Sequence, residues 1–264
     1  MPRRAEHRGE GKDSYVRALA RGLTILALFD IEHPDWSLSE VCCQTGMSKT
    51  TVYRLLRTLE DRDFLDYDPQ TEKYHLGKAT IPVAYLALSY VGFVRTTHHF
   101  LEELAHGTGE TVELTVGTSE GAVVVDEVAT RHPFRLNRPT GRILNDLANS
   151  SFRLHVAHRS LPEQEEVVGH AKWAGRPIEN PAEVLRRMAE EKAQGLAFDL
   201  EELDPGVCAA SVPVYQHDGA LRAVLTLVAP VERFGPRQRK RKVSSLQLTA
   251  KKITAFLAEV TGRD

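Results

Sequence analysis

The sequence predicts an α+β protein in two parts. Three observations carry this: short helical patterns and a hairpin before residue 79, a strongly apolar helical stretch at Ile81–Tyr90, and, after Glu110, β-branched alternating segments interleaved with helices. A chain of 264 residues is long for one hydrophobic core and comfortable for two. Composition is ordinary, with 42% apolar and 27% charged residues and a formal net charge of −2. No global excess of positive charge marks a polyanion binder, so such a function would need a local basic face.

Cys42, Cys43 and Cys208 offer neither a plausible disulfide pair nor a metal-type C-x-x-C spacing. The polar start MPRRAEHRGEGKDS lacks the apolar core of a signal peptide, and Leu23–Phe29 is too short to span a bilayer. These features point to a cytoplasmic protein without a membrane partner.

Residues 1–13 read as a polar arm. The first domain, 14–78, opens on a helix from Ser14 to near Ile31, with Leu19, Leu23, Leu26 and Phe29 as its expected buried stripe. Residues 79–94 read as a linker helix with a break at Gly92, and 95–264 as the second domain. There the spacing predicts a helix through Phe100–Ala105, a hairpin of Thr111–Val116 with Ala122–Val128, and a helix near Leu147–His158. A helix over Pro181–Ala193 closed by Gly195, strands at Val207–Val214 and Leu221–Val228, and a last helix from Pro236 to Val260 complete it.

The most informative stretch is Leu38–Arg57, LSEVCCQTGMSKTTVYRLLR. Ser37 with Glu40 forms a capping box for one helix, and Gly46 supplies the positive φ of a tight turn. Met47 plugs the corner, Ser48 caps a second helix, and Val52, Leu55, Leu56 and Leu59 form its inner stripe. Phe64–Tyr67 and Lys73–Leu76, joined by Asp68-Pro-Gln-Thr-Glu72, read as the two strands of a wing. This is the pattern of a winged helix-turn-helix. The outer face of the second helix carries Ser48, Lys49, Thr50, Thr51, Tyr53, Arg54 and Arg57, groups able to reach base edges and phosphates. Arg21 and Lys73 join them as candidate DNA contacts.

Arg17-Ala-Leu-Ala-Arg-Gly-Leu-Thr-Ile-Leu26, Leu38-Ser-Glu-Val41, Gly46–Glu60 and Tyr74-His-Leu-Gly77 resemble the isocitrate lyase regulator (IclR) family. The likeness continues at His106–Glu113, Gly195–Gly206 and Val212-Pro-Val214. It implies a GAF-like C-terminal domain that binds a small organic acid or aromatic metabolite, in a homodimer or homotetramer acting on operator DNA. It also implies an effector pocket at Asn149, Ser151, Phe152, Leu154, Asp199, Cys208 and Thr226. Where the family carries an Ala-Thr-Ala-Leu-Gly-Lys-Ala-like segment, this chain reads Ala148-Asn-Ser-Ser-Phe-Arg-Leu-His155, with no Gly. Thr226-Leu-Val-Ala229 replaces a Ser-x-Ser-Gly-like end, and Cys208 stands one place early. Bulk at Phe152 and Leu154 is expected to narrow the cavity, and the amides of the 148–152 helix start to suit a ligand carboxylate.

Other groups admit weaker readings. Asp199, Glu201 and Glu202 could hold ligand hydroxyls, serve as acid and base, or simply belong to a solvated loop with helix caps. His98, His99, His106, His155, His158 and His170 admit a metal reading, with His155 and His158 at i, i+3 spacing, but surface histidines explain the set better. No nucleophile elbow, phosphate loop or dinucleotide fingerprint is present, so neither catalysis nor a cofactor is expected. The basic run Arg237–Lys242 reads first as a solvated helix end, and otherwise as a contact for DNA phosphates or for an acidic partner surface. The rival to a regulator is a small-molecule enzyme or binding module with a structural helix-turn-helix, which a gel shift on upstream DNA separates.

Overall fold

The computed structural model describes residues 16–30, 33–90, 93–119, 121–130 and 140–261. The expected arm at 1–13 and the break at Gly92 lie outside them. The chain divides into two units, Met1–Ser89 and Tyr90–Asp264. Among the described residues no helix is long and apolar enough to cross a membrane.

In the first unit, α1 (Arg17–Leu26), α2 (Leu38–Thr45) and α3 (Lys49–Glu60) surround a small core, with strands β1 (Asp35–Ser37), β2 (Leu65–Asp68) and β3 (Lys73–Leu76). Ile25, Trp36, Val41, Val52, Leu56, Leu65 and Tyr74 fill that core. The sheet order is β1-β3-β2, so the wing hairpin gains a third strand in which Trp36 pairs with Tyr74. Sequence reading missed β1, whose three residues are too few for a period-two signal. The first helix is also shorter than expected and turned differently. It ends at Leu26 and buries Gly22 and Ile25, while Leu19 and Leu23 are 62% and 56% exposed. Helix α4 (Thr80–Tyr90) follows; Pro82 sits in its first turn, where a missing N–H costs no hydrogen bond.

The second unit is built on a six-stranded sheet of order β6-β5-β4-β11-β10-β9. Its strands are β4 (Thr111–Gly117), β5 (Ala122–Val128), β6 (Ile143–Leu144), β9 (Ala197–Leu200), β10 (Val207–Tyr215) and β11 (Leu221–Pro230). Helices α5 (Phe93–Thr108) and α9 (Pro236–Thr261) cover one face through a core of Leu101, Leu104, Leu114, Val212, Leu225, Leu246 and Ile253. On the other face lies α6 (Ser150–Ala157), backed by α7 (Leu161–His170) and α8 (Pro181–Gln194). A two-stranded ribbon, β7 (Lys172–Trp173) and β8 (Arg176–Pro177), joins α7 to α8. Every residue of α6 is buried. An all-round buried helix hides its period, so its eight residues were hard to place from sequence.

Candidate nucleic-acid interface and ligand pocket

The first unit sets α3 by local chemistry. Ser37 Oγ accepts from Glu40 N at 3.3 Å and the Glu40 carboxylate accepts from Ser37 N at 2.7 Å, a complete capping box. Those bonds hold the Glu40 carboxyl below its usual range. Gly46, with φ 65°, ends α2 and donates to Cys42 O at 3.0 Å. Ser48 Oγ then accepts from Thr51 N at 3.4 Å and starts α3.

The expected contact residues of α3 divide by what they touch. Lys49, Thr50, Tyr53 and Arg54 are exposed, and neither Lys49 nor Arg54 has an ion-pair partner among the described residues. Ser48 and Thr51 are tied to each other in the cap, their hydroxyls 3.0 Å apart. Arg57 is drawn to the C-terminal end of α3 by Glu60 at 3.0 Å and Asp61 at 3.7 Å. Lys73 donates to Asp35 at 2.5 Å across β1 and β3. The wing tip carries Asp68, which caps Gln70 and Thr71, and Glu72, but no cation. The N-terminal half of α3 thus presents Lys49 and Arg54 without an acid beside them, and the helix dipole adds its own partial positive charge there. Arg21 is exposed on α1 and joins Arg54 along a groove of about 650 Å³ floored by Leu19, Leu23, Leu55 and Phe64.

The second unit brings together a polar row under α6. Ser150 Oγ lies 2.8 Å from Ser211 Oγ, which lies 2.9 Å from Thr226 Oγ1. Thr115 Oγ1 is 2.6 Å from Ser151 Oγ and 3.0 Å from His155 Nε2. All are buried. Burial lowers the His155 pKa to about 3, so the ring is neutral near pH 7. Glu113, also buried, is in register with Thr226 on the same face.

Of the expected pocket residues, Ser151 and Thr226 lie in this row. Asn149 caps α6 instead: its Oδ1 accepts from Ser151 N and Phe152 N at 3.0 and 3.1 Å. Ala148 N is likewise taken by Asp146. The helix-start amides are therefore occupied internally, against the expectation that they receive a carboxylate. Phe152 turns aside to Val124, Leu147 and Met188, and Leu154 packs on Ala197 and Val224. Cys208 faces the opposite side of the sheet, in the core beneath α5 and α9, because strand residues alternate between faces. Asp199 is on the α6 side, where its Oδ1 accepts from Glu202 N and Leu203 N; burial raises its pKa. Among the described residues no cluster could hold a metal. His158 bonds Leu154 O at 2.8 Å and Tyr215 Oη at 3.1 Å.

Sequence reading missed Thr115, Ser150, Ser211 and His155 as a set, and also Arg153. Arg153, wholly buried, makes a two-point contact with Glu191 at 2.7 and 2.9 Å. It also donates to the carbonyls of Leu147 and Ala148 and stacks over Trp173. The polar residues Thr111, Glu113 and Thr115, at every second position of β4, were the available signal for the polar row.

The IclR helix-turn-helix domain model matches residues 18–69, and the model of the bacterial transcriptional regulator IclR C-terminal domain matches residues 85–255. The chain belongs to the IclR family. An IclR-family chain is a DNA-binding transcriptional regulator rather than an enzyme, and α3 lies within the matched helix-turn-helix domain. The chain is 26% identical over 241 residues to the HTH-type transcriptional regulator KdgR of Escherichia coli, covering 88% of this chain and 91% of that one. It is 24% identical over 225 residues to the transcriptional repressor IclR of E. coli, covering 83% and 82%. Among solved structures, an IclR regulator from Silicibacter sp. superposes with a TM-score of 0.82 at 23% identity, covering 91% and 96%. An IclR homologue from Microbacterium hydrocarbonoxydans, complexed with 4-hydroxybenzoate, superposes at 0.72 with 17% identity, covering 91% and 98%.

Proposed function

We propose that this IclR-family regulator binds operator DNA through α3 and releases or retains it in response to a small organic acid held under α6. The observation that carries this reading is the buried hydroxyl row of Ser150, Ser151, Ser211, Thr226 and Thr115. Polar groups cost free energy to bury unless they are hydrogen-bonded, and here they bond chiefly to one another. A ligand oxygen exchanged for one of those bonds would change how α6 sits on the sheet and shift the population of binding-competent states. The 4-hydroxybenzoate complex of a structural neighbour supports an acid with a phenolic or carboxylic oxygen. Screening organic acids, 4-hydroxybenzoate included, for release of the chain's own upstream DNA tests it. Ser211→Ala and Thr226→Val should raise the half-effective concentration of an active acid by about tenfold, the equivalent of ~1.4 kcal/mol. An acid acting equally on wild type and both variants would place the effector site elsewhere. The protein acts in the cytoplasm.

Two copies pair through α4, setting half-site spacing. Ile81, Val83 and Leu86 on this helix are 66%, 57% and 59% exposed, a patch suited to a second copy of itself. Replacing Ile81 and Leu86 by Glu should lower the mass seen by light scattering toward monomer and weaken binding to a two-half-site operator. An unchanged mass would put the interface on another surface.

A further inference from the structure

Helix α9 splits the basic run at its start into two faces. At 100° per residue, Arg239 and Lys242 turn inward. The Arg239 guanidinium lies 5.6 Å from the Phe198 ring centroid, and Lys242 Nζ lies 2.6 Å from both Glu110 Oε1 and the Arg233 carbonyl. Glu110 also receives Arg233 at 2.9 and 2.7 Å, so Lys242 completes a structural cluster. Arg237, Lys240 and Arg241 turn outward, are exposed, and have no ion-pair partner among the described residues. The same outer stripe continues through Ser244 and Leu248 to Lys251 and Lys252; among the described residues only Lys252 of these meets an acid, Glu103 at 3.8 Å.

Folding alone gives no reason for the outward cluster. Like charges at i, i+3 and i, i+4 repel, and cations at a helix N-terminus oppose the dipole. The first acid of α9 is Glu259, far down the helix. An arrangement that disfavours the isolated helix is well suited to a polyanion.

We propose that the outer face of α9 is a second contact for duplex DNA, taking backbone phosphates. From Arg237 to Lys252 the stripe runs about 22 Å at the α-helical rise, enough to meet several phosphates. Such a contact is indifferent to sequence: it adds affinity and salt dependence and leaves base selection to α3. It rests on operator binding by α3, and the variants below separate the two.

The test uses the full chain and two duplexes, its own upstream region and a non-operator sequence, across a salt series. Replacing Arg237, Lys240 and Arg241 together by Ser should reduce the slope of log affinity against log salt by about two to three units, at roughly 0.9 per phosphate. Affinity should fall in parallel for both duplexes, leaving their ratio unchanged. Lys240→Ser alone should remove about one unit, and replacing Arg237 and Arg241 by Lys should restore the wild-type slope. Arg54→Ala should instead lower the operator to non-operator ratio. Wild-type slopes in the triple and single Ser variants, with wild-type melting points, would overturn the proposal and leave the face to an acidic protein partner. If Arg54→Ala also left the ratio intact, the fault would lie with the α3 reading.

Discussion

Glu191→Ala should destabilise the C-terminal unit by about 3–5 kcal/mol, the usual consequence of stranding a buried charge. Arg153 has no exposed surface, and two of its guanidinium nitrogens rest on Glu191. Glu191 also receives Arg187 at 3.1 Å, so its removal leaves two cations facing the ring of Trp173, at 5.1 and 4.9 Å from its centroid. Trp173 fluorescence during denaturation therefore reports the loss locally, and the melting of the first unit, which holds Trp36, should not move. The same guanidinium ties down the carbonyls of Leu147 and Ala148, so the start of α6 and the hydroxyl row should loosen with it. A double change, Arg153→Met with Glu191→Leu, removes both charges and should recover most of the loss. A cost below ~1 kcal/mol for Glu191→Ala would show that the pair contributes no more than a surface ion pair.

Gly77→Ala should disable DNA binding while leaving the second unit folded. A Cβ there would stand 2.3 Å from Asp63 O, 2.9 Å from Asp63 C and 3.0 Å from Leu65 N, all backbone atoms. Those atoms have little room to move. Gly77 N donates to Phe64 O and Ala79 N to Asp63 O, at 2.8 and 2.9 Å, and Asp63 itself sits at φ 59°. The wing must shift away from α3, at a cost on the order of 1–3 kcal/mol or more. Operator affinity should drop by at least about tenfold, or ~1.4 kcal/mol, with altered Trp36 fluorescence, since Trp36 is paired to β3. Affinity within about twofold of wild type would mean the wing does not position the contact surface. The sequence pointed to Gly77 only through the family-like Tyr74-His-Leu-Gly77 segment; the close approach to Asp63 is a tertiary fact.

What the sequence by itself determined is the helix-turn-helix. Its capping box, its glycine turn, the Ser48 cap and the inner stripe of α3 are interactions between residues a few positions apart, each chosen by residue type. Even there, neighbours redirected charges: Arg57 meets Glu60 and Asp61 within one helical turn, but only the fold brought Asp35 to Lys73, 38 residues away in sequence. In the second unit long-range contacts dominate. Val207–Val214 is buried throughout, so β10 reads as one apolar run and the face of Cys208 cannot be assigned from period two. Only pairing with β9 and β11 put Cys208 beneath α5 and α9 and Ser211 beneath α6. Arg153 looked like a polar residue in an ambiguous helix until Glu191, 38 residues later, came within 2.7 Å. Local rules fix what neighbours in sequence can satisfy between themselves; buried polar partners separated by dozens of residues are settled when the sheet and helices close on one another.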